Sequence, residues 1–182
     1  MTRSGGGSGW LCLAAVLLAS SVLVRTADEN LRIVPIVSKD DVVVSFNGAD
    51  TYTDDVRAAI SSGLRTTFTY EVDLRMLVPA WVDRTIASMV VSVSDQYDNL
   101  TRRHSLSRMI DGRVEQASVT EDEKVVKQWL TSFSRLPLIS TSKLDQSRDY
   151  YVRVRARVRP RGTSLLGWTT TVSAQAKFTF VP

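Results

Sequence analysis

Cysteine is almost missing from this 182-residue chain, and histidine with it. The one cysteine, Cys12, lies inside an apolar run near the N-terminus, and the one histidine is His104. Past that run the chain has no thiol, which excludes disulfides, cysteine nucleophiles and the thiolate ligands that zinc and iron sites recruit. Long hydrophobic stretches are lacking too, since nothing after Val24 could span a bilayer. There is no G-x-S-x-G elbow, no glycine-rich phosphate loop leading into a helix, and no calcium loop of spaced acids ending in glutamate. Internal repeats and Pro/Gly-rich linkers are absent, so one domain is expected. These gaps remove most routes to catalysis and leave no cofactor or metal to expect.

What is present begins with a leader. Arg3, the Gly/Ser-rich stretch Ser4–Gly9 and the apolar or small run Trp10–Val24 read as a secretory signal peptide over residues 1–27. The run has 15 residues, and a spanning helix needs about 20, so cleavage is preferred; anchoring by an uncleaved signal is the alternative. Ala19-Ser20-Ser21 offers small residues for cleavage, whereas Arg25-Thr26-Ala27 places a bulky side chain where a small one is preferred. Trp10-Leu11 ahead of Cys12 argue against lipid attachment. The expected location is periplasmic or extracellular. Residues 28–182 form a single β-rich domain, with 43% hydrophobic and 23% charged residues in the whole chain and a mean hydropathy of -0.05, values of an ordinary globular protein.

Period-two alternation dominates that domain and predicts strands over Thr67–Met76, Tyr150–Arg159 and Thr171–Val181. Shorter strands fit Leu31–Val37, Val42–Phe46, Arg84–Ser94, Thr101–Arg108 and Arg113–Ser118. Ser38–Asp41 and Asp111-Gly112 supply hairpin turns. Two stretches break the alternation. Thr53–Ser62 has a capping hydroxyl, early acids and Gly63 as a stop, and Thr120–Phe133 opens on the capping box Thr120-x-x-Glu123. In the second, Val125, Val126, Trp129, Leu130 and Phe133 make an apolar stripe at helical spacing. The fold class is therefore mainly β, an antiparallel sandwich immunoglobulin-like in style, with two short helices. A single sheet covered by both helices is the rival.

Charge is unevenly distributed. Residues 28–147 carry 14 basic and 18 acidic side chains, whereas residues 148–182 carry seven basic and one acidic. The basic excess is concentrated in a ladder, Arg153, Arg155, Arg157 and Arg159, on one side of a strand, with Arg161 following. Like charges stacked at about 6.6 Å need partners or water. Cross-strand acids such as Glu71 and Asp73 are the expected partners, and an anionic surface is the alternative. His104 reads as a strand-surface residue whose neighbours Arg102 and Arg103 oppose its protonation. Asp54, Asp55, Glu121, Asp122 and Glu123 read as helix-start acids, and Asp95 and Asp98 as turn residues. Asn99-Leu100-Thr101 matches the glycosylation triplet, which matters only in a eukaryotic secretory pathway.

Several stretches resemble a family of exported bacterial proteins catalogued as domain of unknown function 4390. The resemblance runs over Gly63 to Leu74, Trp81-Val82-Asp83, Leu100-Thr101-Arg102-Arg103-His104-Ser105-Leu106, Tyr151-Val152-Arg153-Val154 and the terminal Phe178-Thr179-Phe180-Val181-Pro182. His104 stands where the family usually has an aromatic, and Trp81 where it tends to have several tryptophans. The resemblance implies a bacterial, extracytoplasmic β-rich domain, and a membrane sensor kinase as partner because such genes are frequent neighbours.

The reading is then a non-enzymatic envelope binding module whose candidate interaction surface is Arg153, Arg155, Arg157, Arg159 and Trp81. Its partner is an envelope protein or an anionic membrane surface, with no nucleic acid. The alternatives are a small carboxylate-dependent hydrolase and a purely structural envelope protein.

Overall fold

The computed structural model describes residues 31–160 and 170–180. The expected signal peptide 1–27, Arg161 and the Val181 end of the last expected strand lie outside the described residues. In chain order the elements are β1 (Arg32–Val37), β2 (Asp41–Asn47), α1 (Asp54–Ser61), β3 (Thr66–Met76), β4 (Arg84–Asp98), β5 (Arg103–Ile110), β6 (Arg113–Thr120), α2 (Glu123–Thr131), β7 (Ser132–Ser140), β8 (Asp149–Pro160) and β9 (Thr170–Thr179). Short 3-10 turns, Ala49–Thr51 and Thr141–Lys143, precede α1 and follow β7.

Two antiparallel sheets result, one of three strands in the order β1-β2-β7 and one of six in the order β6-β5-β4-β3-β8-β9. The expected mainly β, sandwich-like fold with two short helices is what the chain adopts. Alternation explains the packing: Phe68, Tyr70, Val72 and Leu74 of β3 stand opposite Val158, Ala156, Val154 and Val152 of β8, all buried. Each such aliphatic side chain contributes roughly 1.5–3 kcal/mol on burial. The small sheet answers with Val42, Val44 and Phe46 from β2 and Phe133 from β7. Rings from both layers meet at the centre, where Phe46 and Phe133 lie 4.6 Å apart and Tyr70 4.9 Å from Phe133.

The small sheet is too narrow to cover six strands, and the helices cover more of the large one, α1 packing against β3, β4 and β8 and α2 against β4, β5 and β6. The rival arrangement, helices covering a sheet, thus describes one flank of the molecule. In α1 the Thr53 side chain accepts from the Val56 amide, and Val56 and Ile60 are buried. Gly63, at φ 83, ends the helix and turns the chain into β3. The second helix is shorter than expected. Asp122, not Thr120, caps it by accepting from the Lys124 amide at 2.8 Å, while Thr120 accepts from the Asp122 amide. Its stripe buries Val126 and Leu130 but leaves Val125 exposed, and Phe133 belongs to β7. The Tyr70 hydroxyl donates to the Leu130 carbonyl at 2.8 Å, and Arg108 of β5 donates to the Trp129 carbonyl at 3.2 Å. Both satisfy carbonyls left open in the last helical turn.

Strand limits also shift. β4 runs on to Asp98, four residues past the expected end, and Thr101 and Arg102 belong to the turn before β5. The Asp111-Gly112 hairpin forms with both residues at positive φ, 48 and 80, the backbone a tight right-twisted hairpin requires.

Candidate functional site

Register places the arginine ladder beside its acids. Asp73 pairs with Arg153 and Glu71 with Arg155 across β3 and β8. Arg153 Nη2 lies 2.7 Å from Asp73 Oδ2, Arg155 Nη2 lies 2.9 Å from Glu71 Oε2, and Arg157 Nη1 lies 3.0 Å from Glu71 Oε1. Ser88 Oγ adds a hydrogen bond to Asp73 from the other neighbouring strand. Burial raises the Asp73 pKa, but the hydrogen bonds from Arg153 and Ser88 and both arginine charges outweigh it, holding the carboxyl below 3.8. Three guanidiniums are thus matched to two carboxylates. Arg159 stands opposite Thr67 and borders, with Arg65, Ser92, Ser94, Ser107 and Met109, a depression of about 290 Å³.

Trp81 occupies the loop between β3 and β4, next to the Arg153 end of the ladder. Asp83 braces that loop: its Oδ1 accepts from the Val78 amide, its Oδ2 from the Tyr151 hydroxyl at 2.8 Å, and its carbonyl from Arg75. The Trp81 amide donates to the Val78 carbonyl across a turn containing Ala80 at φ 60. On this fixed backbone Trp81 is 81% exposed and Val82 74%.

A second feature was misread in sequence. His104 is not a surface residue: it faces the interior from β5, is buried, and its Nδ1 lies 2.8 Å from Oδ2 of Asp95. Asp95 is not a turn residue either, but a fully buried member of β4. The reason is parity. Met89, Val91 and Val93 point inward, and the alternation continues through Asp95 and Tyr97 instead of stopping at Ser94. Asp98 alone makes the expected turn, accepting from the Leu100 and Thr101 amides. Arg103, expected to repel a protonated His104, is engaged with Glu121 at 3.0 Å.

These residues border a cleft of about 600 Å³ lined by Tyr52, Ile60, Ser61, Tyr97, Asn99, Arg102, His104, Glu121 and Glu123. The Tyr97 and His104 rings lie 4.6 Å apart. Glu123 pairs with Arg57 and Glu121 with Arg103, each through Oε1. Burial, then Glu123 and Asp95, pushes the Tyr52 hydroxyl up to about 12. Burial also raises the Asp95 carboxyl, against the opposing pull of His104. Tyr52 Oη and Asp95 Oδ1 are buried without a hydrogen-bond partner among the described residues, a condition that costs about 1–3 kcal/mol per group. Among the described residues no group of three or more His, Cys, Asp or Glu side chains is placed to hold a metal. No described helix is long and apolar enough to cross a membrane.

Together these observations define a two-sheet antiparallel β protein with a polar cleft where its helices meet the larger sheet. The chain belongs to the family described as domain of unknown function (DUF4390), whose model matches residues 29–164. Comparison with curated proteins and with solved structures found no match.

Proposed function

We propose that this chain is an exported, non-enzymatic binding module of the bacterial cell envelope. It docks an envelope protein through the Trp81–Val82 loop and the arginine-bearing face beside it. The observation that carries this reading is Trp81, an indole 81% exposed on a backbone fixed by Asp83, Tyr151 and Arg75. A large aromatic held in place offers apolar contact area at little ordering cost, and tryptophan and arginine are enriched among residues that dominate binding energy. The apolar leader supports export. The neighbourhood of similar genes makes a membrane sensor kinase the first partner to test. A carboxylate-dependent hydrolase is less well supported, because the two acids at the cleft, Glu121 and Glu123, each serve an ion pair, with Arg103 and Arg57.

Photo-crosslinking in cells tests it, with a benzophenone amino acid in place of Trp81 and, as control, in place of Leu100, which is 94% exposed at the other end of β4. The expected result is a discrete adduct with one envelope protein from position 81 that position 100 does not give. No adduct at position 81, or the same adducts from both positions, overturns the reading.

A further inference from the structure

We infer that the cleft around His104 binds a neutral, polyhydroxylated ring, the chemistry of a sugar residue. It lies at the opposite end of β4 from Trp81, so this inference stands independently of the docking surface. Its volume of about 600 Å³ falls within the roughly 300–1,000 Å³ of small-molecule sites.

The buried part of the lining is aromatic and apolar. Tyr52, Ile60 and His104 are buried, with the Tyr97 ring tilted against the imidazole. Of these the half-buried Tyr97 ring is the apolar surface a ligand can reach, and it suits the C–H face of a ring. The exposed part alternates hydrogen-bonding character: Arg102 and the Asn99 amide can donate, Glu121 and Glu123 accept, and Ser61 does either. Both glutamates hold their arginines through Oε1, which leaves Oε2 of each for a ligand hydroxyl. Donors and acceptors side by side at a rim suit a molecule that carries several hydroxyls, each able to donate and accept.

Charge points the same way. The rim carboxylates are offset by Arg57 and Arg103, and Arg102 adds a positive group at the cleft itself. With both carboxylates paired, Arg102 leaves the rim one positive charge in excess, which repels a cation, whereas a neutral polyol meets no like charge. The site is also built from beneath. Fully buried Asp95 fixes the imidazole through Nδ1, so Nε2 is the ring atom available to accept or donate. Tyr52, only 6% exposed, lines the cleft with a hydroxyl that lacks a partner among the described residues. That hydroxyl is itself closed to solvent, so the bonds to a ligand come from the rim.

Saturation-transfer NMR on the protein tests this with N-acetylglucosamine and maltose as probes, against putrescine as a cation, while broadening of the phosphorus-31 line reads inorganic phosphate as an anion. The expected result is transfer to the ring protons of at least one sugar and none to putrescine. Arg102→Met and Glu121→Gln, both at exposed positions, should each weaken binding about tenfold or more, the loss of one charge-assisted hydrogen bond. Trp81→Ala should leave it unchanged, and unaltered melting temperatures separate lost binding from lost folding. Transfer to neither sugar, binding of putrescine or phosphate alone, or sugar binding indifferent to both rim substitutions overturns the inference. Maltose without N-acetylglucosamine, or the reverse, supports it and distinguishes a plain polyol ring from an acetamido one.

Discussion

Asp73 is the residue on which the outer face of the large sheet turns. It is almost buried, accepts from Ser88, and meets Arg153 at 2.7 Å and Arg155 at 3.4 Å. Such shielding makes it worth more than a solvent-exposed pair. Asp73→Asn is expected to lower stability at neutral pH by about 2 kcal/mol, the scale of a lost charged hydrogen bond, read as a lower urea midpoint. Because the folded carboxyl sits below 3.8, its contribution is complete above that value and fades as pH falls through the folded value. The gap between wild type and variant should therefore close in acid. A gap that stays constant down to acid unfolding would show that something other than the ionised pair stabilises the face. Asp95 has the opposite sign, since burial raises its pKa and its ionisation opposes folding as pH rises above 3.8. Sequence made the first acid legible and not the second. Glu71 and Asp73 stand on the polar side of a clean alternation, whereas Asp95 sits on the apolar side, where an acid reads as the end of a strand. The misread His104 follows, because its burial depends on that partner.

Among the elements, the strands that were legible are those whose two faces differ. β3 and β8 each bury one face completely and present charge on the other. β7 is not legible: Ser132 and Phe133 read as the end of the second helix, and the residues that follow show no alternation. Its buried positions, Phe133 and Leu136, are three apart, and its pairing with β2 slips at two irregularities, with Arg135 at φ 52. Pro137 argues against a strand in any reading by propensity, and is tolerated here because β7 is an edge strand of its sheet. The first helix was legible because its stop is chemical: Gly63 adopts φ 83, which other residues reach only with strain. Gly63→Ala should cost about 1 kcal/mol from conformation, plus crowding of Asn99 Nδ2, which lies 3.0 Å from where the new methyl would stand. Gly112→Ala provides the control, with φ 80 and open space around it. Thermal melts should rank Gly63→Ala as the more destabilised of the two. The reverse order would mean that Asn99 yields freely and that the helix stop is not what positions the 98–102 turn beside the cleft.

For the whole molecule, the separation of an acidic body from a basic C-terminal region is a property of the sequence that the fold cancels in part, along the ladder. Pairing β8 with β3 brings Glu71 and Asp73 against Arg153, Arg155 and Arg157. The three arginines are left with one net positive charge, and each exposed ion pair is worth only ~0–1 kcal/mol. Near an anionic bilayer each free basic group would contribute about 1 kcal/mol, so the acids decide whether this face attracts a membrane. Wild-type protein is expected to stay in solution when mixed with phosphatidylglycerol vesicles at physiological ionic strength. Replacing the acids by Glu71→Gln together with Asp73→Asn removes two negative charges from the same face and should convert it to a vesicle-binding one, with sedimentation falling away as salt shortens the screening length from about 10 Å at 0.1 M to about 3 Å at 1 M. The variant should also melt lower, since the buried end of Arg153 loses its carboxylate. Strong vesicle binding by the wild type would show instead that the pairs open in solution and that the ladder is an anionic-surface site. If the double variant neither binds vesicles nor loses stability, the cross-strand pairs do not govern this face at all.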